Sequence, residues 1–250
     1  MGIFNINNLS LLLFSGYSSF IIAGDNPIST NSDEFDSSKT LSQWSVLNPE
    51  LLKTYKVDNG KLILEPSNKF SKLGWYEDDQ GPLVYKTVKG DFIVEAKLRV
   101  GTIKDYNQVP TSPFNSAGLI IRDPRSKHGN QNWIMYNIGY QDMVFGSEAK
   151  TTVDSSSILY INETSTENRA GKLRICRIGS NFYLYHWLAT ENKWLPEKSF
   201  EVIKRKDFQN ELHVGPMINA WEGPEETHAE FDYVKFSEVS SHSDCLKVID

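Results

Sequence analysis

Apolar and polar residues alternate with a period of two along much of the chain. In the longest example Phe92, Val94, Ala96, Leu98 and Val100 are apolar, and Ile93, Glu95, Lys97 and Arg99 fall between them. Successive strand side chains point to opposite faces, so this run predicts a strand with one dry face and one charged face. Comparable signals predict strands over Lys61–Glu65, Leu83–Val88, Asp91–Val100, Ala117–Arg122, Asn132–Tyr140, Ser157–Ile161, Lys172–Ile178, Asn181–Leu188, His213–Ala220 and Glu230–Ser237. Turn-forming clusters such as Asp58-Asn59-Gly60, Lys89-Gly90-Asp91 and Gly179-Ser180-Asn181 punctuate them. Helical periodicity is nearly absent, and only Phe200–Phe208 suggests a short helical turn. Strands in such number without crossover helices imply an all-β antiparallel sandwich or barrel.

The strand faces differ in character. In Phe182–Leu188 one face takes Phe182, Leu184, His186 and Leu188, and the other takes Tyr183, Tyr185 and Trp187. In the next pattern Ala117, Leu119 and Ile121 share a face, leaving Ser116, Gly118, Ile120 and Arg122 opposite. The charged face of Phe92–Val100 reads either as plain solvent face or as the floor of a groove for a polar ligand.

At 250 residues, 39% hydrophobic and 23% charged, the chain suits one large globular domain. Its net charge of −6 lacks the basic footprint that general nucleic-acid binding needs. From Leu9 to Ala23 the chain is mostly apolar, with no charged side chain before Asp25 and with Ala23-Gly24 as a cleavage site, which suits a secretory signal peptide despite the missing n-region cation. That run is too short and too interrupted by serine for a membrane span. Residues 24–38 read as a polar linker, 39–238 as the β domain and 239–250 as a tail. Cys176 and Cys245 either pair in an oxidising compartment or remain free thiols. The five histidines show no zinc-ligand spacing. Asn162-Glu163-Thr164 is a glycosylation triplet.

Several short motifs occur in a recognisable order. Trp75-Tyr76, Gly81-Pro82-Leu83-Val84-Tyr85 and Gly90-Asp91-Phe92 are followed by Ala117-Gly118-Leu119-Ile120-Ile121-Arg122 and Asn132-Trp133-Ile134. Leu173-Arg174-Ile175, Arg177, Gly179, Phe182 and Trp194 come next, then Val214-Gly215-Pro216-Met217 and Phe231-Asp232. From about Asp33 to Ser237 this series resembles a largely uncharacterised, mostly bacterial family of secreted domains. That family belongs to the concanavalin A-like lectin and glucanase superfamily and is similar to the C-terminal domain of some β-xylosidases. The resemblance implies a jelly-roll sandwich of two curved antiparallel sheets, with carbohydrate as the expected ligand on the concave one. The family's Ser-x-Asp-Gly turn before Trp194 is replaced by Leu188-Ala189-Thr190-Glu191-Asn192-Lys193, so contacts made by that turn do not carry over.

Jelly-roll glucanases place Glu-x-Asp-x-Glu on one strand, and retaining hydrolysis needs its carboxyls about 5 Å apart. No such run occurs, nor does the Gln-Ile-His of alginate-lyase jelly rolls. Sugar binding asks only for aromatic rings beside a few polar groups. Trp75, Tyr85, Trp133, Tyr183, Tyr185, Trp187 and Trp221 are candidate rings. Glu95, Lys97, Arg99, Arg122, Asp142 and Glu148 are candidate polar groups. Trp44 and Trp194 read as core. No cofactor is required, but jelly rolls often hold a structural calcium where the terminal strands meet, and Glu34, Asp36 and Asp232 are its candidate ligands. The leading reading is a secreted, lectin-like carbohydrate-binding module with a glycan or polysaccharide as partner. A glycan-active enzyme built around Glu95 and Arg122 is the alternative, and a structural or adhesion domain the second.

Overall fold

The computed structural model describes residues 27–164, 169–223 and 226–248. The expected signal peptide lies outside them. Fifteen strands among these residues form two sheets, and every ladder is antiparallel. The first sheet runs β1 (Ser45–Leu47), β4 (Leu83–Lys89), β14 (Glu211–Ala220), β6 (Asn115–Arg122), β7 (Trp133–Tyr140), β8 (Phe145–Val153), β9 (Ser156–Glu163). The second runs β12 (Lys193–Pro196), β11 (Asn181–Leu188), β10 (Ala170–Ile178), β5 (Phe92–Thr102), β15 (Thr227–Ser237), β3 (Lys61–Pro66), β2 (Leu52–Asp58). A two-residue strand, β13 (Ile203–Lys204), pairs with β11. No helix among the described residues is long and apolar enough to cross a membrane.

The alternation in the sequence translates directly into packing. Phe92, Val94, Ala96, Leu98 and Val100 of β5 meet Ala117, Leu119 and Ile121 of β6 and Ile134, Tyr136 and Ile138 of β7 in the core between the sheets. All ten predicted strands are present. The predicted helical turn at Phe200–Phe208 is absent. Ile203 pairs with Phe182 instead, and the Arg205 guanidinium ties this segment to Trp133 O, Asn132 and Thr151 on the first sheet.

Residues 28–38, expected as linker, are built into the fold. Asp33 bridges Val234 of β15, its carboxylate accepts the Trp44 indole N–H at 2.8 Å, and Phe35 is fully buried. The tail is also fixed. Cys245 pairs with Cys176 of β10, and a short 3₁₀ helix, His242–Leu246, lies across the outer face of the second sheet.

The charged face of β5 therefore does not lie beside Arg122. Glu95, Lys97 and Arg99 point outward from the second sheet, whereas Arg122 points outward from the first. Glu95 is buried because the Arg174 guanidinium pairs with it at 2.6 Å while donating to the tail carbonyls of Cys245 and Lys247. The enzymatic constellation of Glu95 and Arg122 is not assembled.

Candidate ligand-binding recess

The outer face of the first sheet is built by side chains one position out of step with the core. On β8 these are Glu148, Lys150 and Thr152, and the ladders set Asn137 beside Glu148, Met135 beside Lys150, and Ile161 and Leu159 on the far side. Lys150 and Glu148 are both buried, and Lys150 Nζ lies 2.7 Å from Glu148 Oε1. Asn137 donates to the other Glu148 oxygen at 2.9 Å, and Gln141 donates to Asn137 at 2.7 Å. The buried charges are thus paired and hydrogen-bonded, the condition under which such groups are tolerated.

The segment between β3 and β4 folds over this face. Leu73 bridges Ala220, the Trp75 N–H donates to Asn219 Oδ1 at 2.9 Å, and the Trp75 carbonyl accepts from Lys150 Nζ at 2.9 Å. Two glycines permit the close approach. A Cβ on Gly74 would meet Asn219 Oδ1 at 2.6 Å, and one on Gly81 would meet Trp75 Nε1 at 2.7 Å. The Trp75 ring then packs edge-on against Trp133, centroids 5.8 Å apart, and both are fully buried.

Beyond Trp75 the chain turns at Glu77 and leaves Tyr76 at the surface, edge-on to Trp221 at 6.0 Å. Tyr76, Phe114 and Trp221 rise around a recess of about 370 Å³, within the usual range for small-molecule sites. Leu159 and Ile161 form a further wall, Lys150 and Asn219 the polar floor, and the exposed Asp142 stands at the rim. Lys150 Nζ lies 5.5 Å from the Tyr76 ring centre and 6.0 Å from those of Phe114 and Trp133. Lys72 Nζ lies over Trp221 at 4.7 Å. A hydrogen bond to the neighbouring Glu77 carboxylate holds the Tyr76 hydroxyl above the usual range. The arrangement offers ring faces for an apolar surface, with a few polar atoms to orient it.

A second depression of similar size lies on the other sheet, lined by Lys61, Glu65, His228 and Glu230 among others. Its charges pair with one another, Glu65 with His228 at 2.7 Å and Lys61 with Glu230 at 2.8 Å. It presents no Trp, Tyr or Phe ring among its lining residues. The first recess is the better ligand site.

The structure divides the expected binding residues between two surfaces. Trp75, Tyr85, Arg122 and Trp133 belong to the outer face of the first sheet; Trp75 reaches the recess, and Trp133 lies beneath it as packing. Glu95, Lys97, Arg99, Tyr183, Tyr185 and Trp187 belong to the second sheet. There Lys97 pairs with Asp232, Arg99 lies over Tyr106, Trp187 packs on Trp194, and Tyr183 and Tyr185 meet His242 of the tail. Trp44 and Trp194 are core residues as expected.

The expected calcium ligands do not converge. The terminal segments do meet, but Lys235 takes Glu34 at 3.2 Å, and Lys61 and Lys97 take Asp232 at 3.4 and 2.6 Å. Asp36 stays exposed, and no cluster of three His, Cys, Asp or Glu among the described residues could hold a metal.

Of the recess residues, the sequence pointed to Trp75, Trp221 and Asp142. It missed Tyr76, Phe114, Lys150, Leu159, Ile161 and Asn219. The alternation Glu148, Lys150, Thr152 was the available signal for Lys150.

No family model matches the chain, and no curated protein sequence does. Solved structures do. A functionally unknown protein from Saccharomyces cerevisiae is 17% identical with a TM-score of 0.61, over 80% of this chain and 99% of that one. A xylan β-1,4-xylosidase from Bacillus halodurans is 18% identical with a TM-score of 0.60, over 83% of this chain but 39% of the xylosidase. A GlcNAcα1-4Gal-releasing endo-β-galactosidase from Clostridium perfringens is 11% identical with a TM-score of 0.53, over 85% and 64% respectively. At these identities the likeness concerns the fold. The fold is a concanavalin A-like jelly-roll sandwich.

Proposed function

We propose that the protein is an exported, non-catalytic carbohydrate-binding module whose recess on the first sheet takes a sugar ring against Tyr76 and Trp221. The observation that carries this reading is the group of three aromatic side chains around a recess floored by Lys150 and Asn219. Ring faces cover the apolar face of a pyranose, and a small number of polar groups fix its orientation. The glycoside-hydrolysing activities named for the xylosidase and the endo-β-galactosidase make glycan the natural ligand class to try.

Binding is favoured over hydrolysis by the state of the acids. Glu148 is fully buried and held by Lys150 and Asn137, so it has no free path to a glycosidic oxygen. The Cys176–Cys245 disulfide supports export, because such bonds persist in oxidising compartments.

The test is calorimetry with xylo- and galacto-oligosaccharides on the wild type, Tyr76→Ala and Trp221→Ala. Each truncation should weaken binding about thirtyfold, as loss of a central aromatic contact does, with the melting temperature nearly unchanged. Unaltered affinity in both folded variants would overturn the assignment. Release of new reducing ends by the wild type would overturn its non-catalytic part.

A further inference from the structure

Four arginine side chains are buried among the described residues, and one of them differs from the rest. Arg174 makes three hydrogen bonds, one of them to the Glu95 carboxylate. Arg177 donates to the carbonyls of Gly179, Gln209 and Asn210. Arg205 reaches Asp207, Asn132, Thr151 and the Trp133 carbonyl. Arg122 is 5% exposed, yet among the described residues it makes one hydrogen bond, from Nη2 to Ser126 O at 2.7 Å. Its Nε, like that of Arg174, is buried without a partner, but Arg174 has three other hydrogen bonds and Arg122 has one. A guanidinium carries five N–H donors, and burying its charge with most of them unmatched is unfavourable.

The nearest carboxylate in sequence, Asp123, lies close enough for its charge to favour the Arg122 cation, but it makes no hydrogen bond or ion pair with it among the described residues. Asp123 accepts from Arg125 Nε at 3.0 Å and Nη2 at 2.7 Å, and from the backbone N–H groups of Arg125 and Gln209. Across the ladder from Arg122 stands His213, whose ring stacks on Tyr85 at 4.0 Å and whose Nδ1 is also buried without a partner. Burial and the nearby Arg122 push this imidazole down to about 4, so it is uncharged at neutral pH and adds no competing cation. Tyr85 and His213 are only partly buried, which leaves the cluster reachable from solvent.

We propose that Arg122, His213 and Tyr85 form an oxyanion subsite that receives a carboxylate or sulfate group. The planar guanidinium fork suits such groups, and a bound oxyanion would fill the unmatched donors. The subsite is distinct from the aromatic recess. Arg122 lies six residues along β6 from Ser116, the ladder partner of the recess residue Asn219, a separation of about 20 Å.

The test follows the His213 imidazole by NMR while sodium sulfate or sodium glucuronate replaces sodium chloride, with ionic strength held at about 0.15 M. Either oxyanion should shift the His213 resonances and raise the titration midpoint by about one pH unit, since a nearby negative charge favours the imidazolium. A response to both salts identifies general oxyanion chemistry, to glucuronate alone a sugar acid, and to sulfate alone a free inorganic anion. Arg122→Gln should abolish the response. Arg122→Lys should weaken it at least about tenfold, the loss of one charge-assisted hydrogen bond. Tyr76→Ala should leave it intact, which separates this subsite from the recess. Chloride giving the same shift, His213 staying unmoved in the wild type, or a folded Arg122→Gln responding like wild type would each overturn the proposal. Because the wild-type titration with its chloride control decides the question alone, a failure of the arginine variants to fold does not rescue it.

Discussion

His213 stands on β14 under the Tyr85 ring with Arg122 beside it, and in this setting its imidazole titrates near pH 4. In the unfolded chain the same group titrates near its ordinary value of about 6.5. Between these values the unfolded state binds more protons than the folded one, so stability rises with pH across the window and is complete above about 6.5. Thermal melts should therefore show a midpoint that falls as the pH is lowered from 7 to about 4.5. His213→Gln should flatten that slope without abolishing it, because burial also lowers the pKa of His186. An identical slope in the variant would remove His213 as its source. Glu95 makes the complementary case. Its carboxylate takes the Arg174 guanidinium at 2.6 Å and the Tyr233 hydroxyl at 2.6 Å. Glu95→Gln leaves a buried guanidinium without its counter-charge, a loss on the order of 3 kcal/mol. Urea denaturation should show that loss while oligosaccharide affinity stays unchanged; reduced affinity with full stability would contradict a structural role for Glu95.

At the level of elements, the alternation of β5 foretold its dry face, because period two follows from the pleat alone. It did not foretell what would lie over the other face. Ile93 and Glu95 are covered by a tail sixty-nine residues beyond Cys176, at the level of the disulfide, and no local pattern encodes such a contact. β8 escaped notice for the opposite reason. Its core-facing side holds Ala149 between Ser147 and Thr151, and its outer side carries Glu148 and Lys150, so hydrophobicity barely alternates. Trp221 was legible as a ring. Its partner Tyr76 was not, because a left-handed turn at Glu77 and the packing of Trp75 determine where Tyr76 emerges. The tail yields a prediction of its own. A disulfide closing a span of this length contributes about 4 kcal/mol by restricting the unfolded chain. For a domain of this size that corresponds to roughly 10 °C in melting temperature. A Cys176→Ser, Cys245→Ser double variant should lose about that much. It should also admit solvent to Arg174, whose two tail carbonyl partners are held by the same closure. Melting within a degree or two of wild type would mean that packing alone holds the tail.

Across the whole molecule, two open sheets leave four outer strands, and these are protected unequally. β1 has three residues and β12 has four, too short to template much pairing. β2 is longer, but its register is irregular between Leu52 and Thr54, and it carries Lys53 and Lys56. β9 has eight residues with no lysine, arginine or proline, and it exposes Ile158 to 57% and Tyr160 to 45%. Its two faces have separate duties, because Leu159 and Ile161 on the other side wall the recess. An exposed apolar edge of this length is where a second chain would pair. Light scattering across a concentration series should show wild-type self-association that Ile158→Lys reduces, with stability changed by no more than about 0.5 kcal/mol at so exposed a position. Oligosaccharide binding should survive Ile158→Lys and be lost in Leu159→Lys, which sends the charge into the recess instead. A wild type that remains monomeric at all concentrations would show that β9 is protected by something other than its own sequence, and equal binding by both variants would detach this strand from the ligand site.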